Sequence, residues 1–182
     1  MAHISLERKK EIIKECLQGV YKEGFLEWLE EQGYYEAPAS ATHHGAYPGA
    51  LFEHSCYVAR NLCDMTKEMH LRWGREESPM IVGLLHDICK MDQYIAVKDD
   101  YGNVVAYEWN KKQLLTGHGE KSCILALRWI DLTDEELMCI RYHMGAFEGE
   151  KMWEKYSDAV AKYPNVLYTH TADMYVSQVM GI

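Results

Sequence analysis

Apolar positions recur at helical spacing through most of the chain, interrupted by a single stretch of shorter period. Ile12, Ile13, Cys16 and Leu17 stand among charges and predict a helix over residues 6–17. Phe25, Leu26 and Leu29 share one face of a short helix over 25–31. Gly33 then opens a loop through Pro38, Ser40, Thr42, His43, His44 and Gly45 to Pro48, rich in histidine and small residues. A long helix follows, starting at residue 48 or 49, where proline suits a first turn, and ending near 70. Its stripe is Leu51, Val58, Leu62 and Met65. The segment 78–90 is apolar without a break in its middle, as a helix surrounded on all sides would be. Between 94 and 109 the pattern shortens, and residues 95–97 and 104–107 flank Asp99, Asp100, Tyr101, Gly102 and Asn103 as the strands of a β-hairpin. Helix resumes after Gly117, with Ile124, Leu125 and Leu127 apolar. Thr133 and Glu136 have the spacing of a capping box for a further helix towards His143. A mixed stretch follows Gly145, and a last helix runs over 164–180. The pattern predicts an all-α bundle with one small β-hairpin insertion.

Composition narrows the picture. The 182 residues are 48% hydrophobic and 26% charged, the balance of a globular chain that buries roughly 70% of its unfolded surface without staples. The longest apolar run, residues 80–85, falls far short of the ~20 residues of a membrane span, and no apolar core follows the charges of the first ten residues, so no secretory leader is expected. A net charge of −9 is repelled by phosphate backbones and anionic lipid, which argues against long nucleic acids and membranes as partners. A basic pocket for one small phosphate ester stays compatible with it. The six cysteines never reach Cys-x-x-Cys spacing, which argues against a zinc knuckle and for a reducing, cytoplasmic setting. Trp109, Trp129 and Trp153 suit a core or a homo-oligomer interface equally.

The candidate chemistry lies in where histidines and carboxylates fall. His54 sits three after Leu51 and four before Val58, on the core stripe of its helix. His86 and Asp87 directly follow the most apolar run, and Asp173 lies seven after Val166 on the inward face of the last helix. A bare buried carboxylate costs several kcal/mol unless it is paired or binds a cation. Imidazoles and carboxylates aimed into one core suit a divalent ion. Taken singly, each has a plainer reading as a hydrogen-bonded core histidine or a helix cap.

In this order, His54, His86-Asp87 and Asp173 resemble the ligand set of the HD superfamily of metal-dependent phosphohydrolases. The resemblance covers residues 41–179. The words His43-His44-Gly45-Ala46-Tyr47-Pro48 to His54, Gly83-Leu84-Leu85-His86-Asp87-Ile88-Cys89-Lys90 and Leu115-Thr116-Gly117-His118 are similar to the branch of HD proteins that contains bacterial 3′–5′ exoribonucleases. Three features depart from that pattern. Cys89 stands where the signature usually has glycine. Met144 follows His143 where two-metal branches have a second histidine, and methionine is a poor ligand for hard or borderline ions. The chain has no room for the separate nucleic-acid-binding domain of that branch.

The resemblance implies a single HD domain over 1–182, with helices in 1–35 packing on a metal-binding core at 41–180. It implies a divalent metal (Mn, Fe, Ni, Zn, Co or Mg) on His54, His86, Asp87 and Asp173. His118 and His143 are either ligands of a second ion bridged by Asp87 or groups that bind phosphate and protonate a leaving oxygen. Lys90 is placed to hold phosphate as a point charge, with His43 and His44 at the pocket rim. The implied activity is hydrolysis of a nucleotide or another small phosphate ester, as a phosphomonoesterase or phosphodiesterase. Two other readings stand beside it: a catalytically weak regulatory module that binds metal or nucleotide, and a short-RNA 3′–5′ exonuclease-like enzyme. A purely structural helical adaptor is the plainest alternative.

Overall fold

The structure, a computed structural model, describes residues 4–42, 45–113 and 115–182; His43 and His44 lie outside the described residues. It is mainly α-helical with one two-stranded antiparallel hairpin. The helices are α1 (Leu6–Cys16), α2 (Phe25–Glu31), α3 (Ala50–Glu68), α4 (Ser78–Leu85), α5 (His118–Leu127), α6 (Asp134–Tyr142), α7 (Trp153–Lys162) and α8 (Asn165–Met174). The hairpin pairs β1 (Tyr94–Lys98) with β2 (Val104–Trp109), and a register shift at Val97/Lys98 marks a bulge. No helix among the described residues is long and apolar enough to cross a membrane.

The predicted stripe of α3 is the core: Leu51, Val58 and Leu62 are fully buried, and Met65 packs at its edge. They join Ile81, Leu84 and Leu85 of α4, Ile140 of α6 and Val166 of α8 in one apolar cluster that also takes in Ile13 and Leu17 at the C-terminal end of α1 and Phe25 and Leu29 of α2. Each such leucine contributes roughly 1.5–3 kcal/mol by leaving water. Trp129, for which a core or an interface place was open, packs on Phe25 and Trp28, whereas Trp109 and Trp153 are exposed.

Two glycines set how closely the helices approach. A Cβ on Gly83 of α4 would collide with the backbone of Ala59 on α3, so these two helices cross backbone to backbone. A Cβ on Gly119 of α5 would collide with the Arg141 carbonyl on α6. The first contact draws together the helices bearing His54 and His86; the second draws together those bearing His118 and His143.

Three local expectations are corrected. The helix predicted over 78–90 stops at Leu85, and a 3-10 turn, Ile88–Asp92, follows with Lys90 N–H donating to the Asp87 carbonyl. Asp87 itself takes φ −107° and ψ 13°, the sparsely populated bridge between helix and strand. Consecutive residues of a continuous helix point about 100° apart. The break lets His86 and Asp87 face one centre. The mixed stretch after Gly145 holds α7, and the last helix changes to a π turn over Tyr175–Met180.

A buried cluster of four imidazoles and two carboxylates

Six of the predicted site residues meet at the interior ends of α3, α4, α5, α6 and α8. The rings of His54, His86, His143 and His118 form a row, with successive centroids 5.3, 4.9 and 5.0 Å apart. His54, His86, Asp87 and His143 are almost wholly enclosed, and Asp173 is 9% exposed.

The hydrogen bonds on the outer side of the rings decide their chemistry. His54 Nδ1 lies 3.0 Å from the Ile182 carbonyl oxygen, His86 Nδ1 lies 2.9 Å from that of Gly83, and His143 Nδ1 lies 2.7 Å from that of Ile140. A carbonyl only accepts, so each Nδ1 carries the proton and donates it outward. A ring held this way, when neutral, turns a bare Nε2 lone pair inward. This is the arrangement of metal-ligating histidines, whose other nitrogen is held by a carbonyl or carboxylate.

Inward, the lone pairs meet one another and the carboxylates. His54 Nε2 stands 3.3 Å from His86 Nε2, 3.6 Å from Asp87 Oδ2 and 3.1 Å from Asp173 Oδ1. His86 Nε2 is 3.5 Å from Asp87 Oδ2 and 3.8 Å from Asp173 Oδ1. Nitrogen and oxygen ligands ~2.1 Å from a shared ion stand about 3.0–3.4 Å apart in octahedral or tetrahedral arrangement. The separations fit that range with little closing. The other oxygen of Asp87 serves a second group: Oδ1 lies 2.7 Å from His118 Nε2 and 3.4 Å from His143 Nε2. All three of these atoms are buried and face one another across the space between them. Three ligand atoms converging in a native core, with no other protein group among the described residues to satisfy them, call for a reason, and a cation between them is one. These buried groups can hold a metal ion.

Lys90 is the one cation at the centre among the described residues, and its ammonium sits 2.6 Å from Asp87 Oδ2. Burial alone would raise the Asp87 carboxyl, but Lys90 and then the imidazoles hold it well below the usual carboxylate range. Burial likewise works against the Lys90 charge, and the Asp87 carboxylate more than offsets it. Burial pushes the His86 imidazole down to about 4 and lowers that of His118. At His143 burial acts in the same direction but the nearby Asp87 prevails, and its pKa rises. Burial also pushes the Cys89 thiol up to about 12. Its sulfur lies 3.2 Å from His118 Nδ1, a contact that the sequence reading did not foresee.

A cavity of about 200 Å³ opens onto the cluster. His54, Asp173 and Lys90 form its floor, with Met144, Phe147 and Ser177 among its walls. Met144, expected to matter as a missing ligand, thus lines the approach to the cluster. Neither His118 nor His143 lines it. A larger cavity of about 570 Å³ lies by Lys9, Phe52, Cys56 and Arg60 and holds none of the clustered residues. His170, one turn before Asp173, stays outside the cluster and holds the His143 carbonyl at 2.7 Å.

No family model, curated protein or solved structure matches this chain.

Proposed function

We propose that the protein is a metal-dependent phosphohydrolase of the HD type, acting on a nucleotide or another small phosphate ester. The observation that carries this reading is the polarity of the cluster: imidazole protons directed outward to carbonyls, and lone pairs directed inward onto two buried carboxylates. Left without a cation, that arrangement opposes lone pair to lone pair in a low dielectric. His54, His86, Asp87 and Asp173 would hold one divalent ion, and Asp87, His118 and His143 a second, with Asp87 between the two. Such ions supply Lewis acidity towards a phosphoryl oxygen and draw the pKa of a water towards neutrality.

The chain's own groups do the rest. Asp87 offers one oxygen to each half of the cluster. With Oδ2 so engaged, the Lys90 ammonium turns to a phosphate as a point charge at the cavity floor. Because His118 and His143 do not line the cavity, a ligand role suits them better than contact with a leaving group. The cavity falls below the ~300–1,000 Å³ usual for drug-sized ligands and, among the described residues, has a single lysine as its cation. Both features suit a substrate presenting one phosphate group over a long polyanion. Free thiols at all six cysteines are consistent with a cytoplasmic setting.

Phosphate release from nucleoside mono-, di- and triphosphates and from bis(p-nitrophenyl) phosphate, with and without added divalent metal, tests the reading. Metal-dependent turnover that disappears in Asp87→Ala, with the helical circular-dichroism signal retained, is expected. Full activity in that variant would end the proposal. Met144 at the cavity wall motivates a second reading, a regulatory module. On that reading nucleotides raise the melting temperature while no phosphate is released.

A further inference from the structure

Cys89 is fully buried between the cluster and the hairpin, and its backbone N–H donates to Ser122 Oγ on α5 at 3.3 Å. Its sulfur touches two polar atoms, His118 Nδ1 at 3.2 Å and Gln93 Oε1 at 3.8 Å. Gln93 in turn donates from Nε2 to the hydroxyl of Tyr94, the first residue of β1, at 2.9 Å. With Nε2 spent on Tyr94, Gln93 presents a carbonyl oxygen, which only accepts and can take the thiol proton of Cys89. With an ion on Nε2 the His118 proton sits on Nδ1, and the sulfur, its own proton directed to Gln93, accepts it. Cys89 therefore does for His118 what backbone carbonyls do for His54, His86 and His143.

The independent sign that an ion can be held on the far side of the ring is the convergence there of two further buried ligand atoms, Asp87 Oδ1 at 2.7 Å from His118 Nε2 and His143 Nε2 at 3.4 Å from that oxygen. We propose that Cys89 is a positioning residue for the second ion: its sulfur accepts the His118 Nδ1–H and turns the Nε2 lone pair into the space shared with Asp87 Oδ1 and His143 Nε2. The inference rests on reading the cluster as a metal centre. It links the hairpin, through Tyr94 and Gln93, to the half of the cluster remote from the cavity.

The test is equilibrium titration of the full chain with Mn(II) alone, and with Co(II) alone for its absorption spectrum. Two classes of bound ion are expected in the parent. Cys89→Ala weakens the second class by ~10–100-fold, the usual effect of removing a ligand's outer partner, and leaves the first class unchanged. Cys89→Ser, whose hydroxyl accepts the same proton, recovers most of the loss. Gln93→Met, which removes only the acceptor for the thiol proton, weakens the second class by a smaller factor and serves if Cys89→Ala does not fold. Unchanged second-class binding in Cys89→Ala, or equal weakening of both classes, overturns the positioning role. A sulfur-to-cobalt charge-transfer band lost in Cys89→Ser would overturn it differently, by making Cys89 a ligand. A parent chain that binds only one ion would defeat the second-ion reading itself, whatever the variants do.

Discussion

Helices α4 and α6 meet at both ends, and each meeting buries a carboxylate. Where their N-termini meet, Glu136 is surrounded by donors. Arg75 Nε and Nη2 each reach it at 2.7 Å, Ser78 Oγ at 2.7 Å and the Thr133 N–H at 2.9 Å. Where their C-termini meet, beside His86 and His143, Asp87 is as deeply buried, but apart from Lys90 it is faced by imidazole nitrogens with inward lone pairs. The same physics gives the two ends different work. A carboxylate with every lone pair satisfied by protein donors needs nothing further and locks two helices together. One whose surroundings are acceptors is complete only with a cation. Burial alone does not mark a functional carboxylate; the polarity of what surrounds it does.

The comparison is broken most sharply by neutralising one carboxylate at a time. Asp87→Asn keeps the shape but removes the charge that both halves of the cluster share. It should lose metal and hydrolysis by at least ~100-fold, since even outer partners of ligands cost 10–100-fold. Its helical signal should persist, with elemental analysis and circular dichroism as the readouts. Glu136→Ala should do the reverse. Breaking a buried, hydrogen-bonded ion pair costs about 3–5 kcal/mol, read as a lower urea midpoint, while ions bound per folded chain stay at the parental number.

Metal loading should stabilise only the open end. At a free ion concentration 100 times Kd the gain is about 2.7 kcal/mol, and in a chain of this size ~2–4 °C of melting temperature accompanies each kcal/mol. The parent and Glu136→Ala should both show the rise on calorimetry; Asp87→Asn should not.

The smallest effect is a pH dependence at the closed end. Burial would raise the Glu136 carboxyl, but Arg75 and the other donors hold it below its ordinary value in the fold. Its contribution is therefore complete above the unfolded carboxylate pKa and is lost as pH falls through the lower, folded value. Urea unfolding of metal-free protein across the acid range should show the parent's advantage over Glu136→Gln shrinking as pH falls. A constant advantage at every pH would show that the glutamate charge is not what the pair depends on.

Much of this was legible in the sequence because it depends on spacing. His54 shares the register of Leu51 and Val58, so a buried apolar stripe carries it inward. Thr133 and Glu136 form the reciprocal capping box that their separation announces. The break after Leu85 left no mark, since neither glycine nor proline stops that helix and the apolar run continues through Ile88. Helix α7 was missed although Tyr156, Ala159, Val160 and Tyr163 recur at helical spacing; only Ala159 of them is fully buried, and the others pack half-exposed against the core. The roles of Gly83 and Gly119 depend on what lies across from them, Ala59 and Arg141, which no local pattern records. The contact of Cys89 with His118 joins residues 29 positions apart and carries no signal in either segment.

The most direct test of the central claim is the metal content of the purified chain, measured by elemental analysis after loading with manganese, iron, cobalt, nickel or zinc and exhaustive dialysis. Two ions per chain in the parent, and none in Asp87→Asn, is the result predicted here. A parent chain that retains no ion under any of these conditions would contradict it, and the lone pairs around Asp87 would then need another explanation.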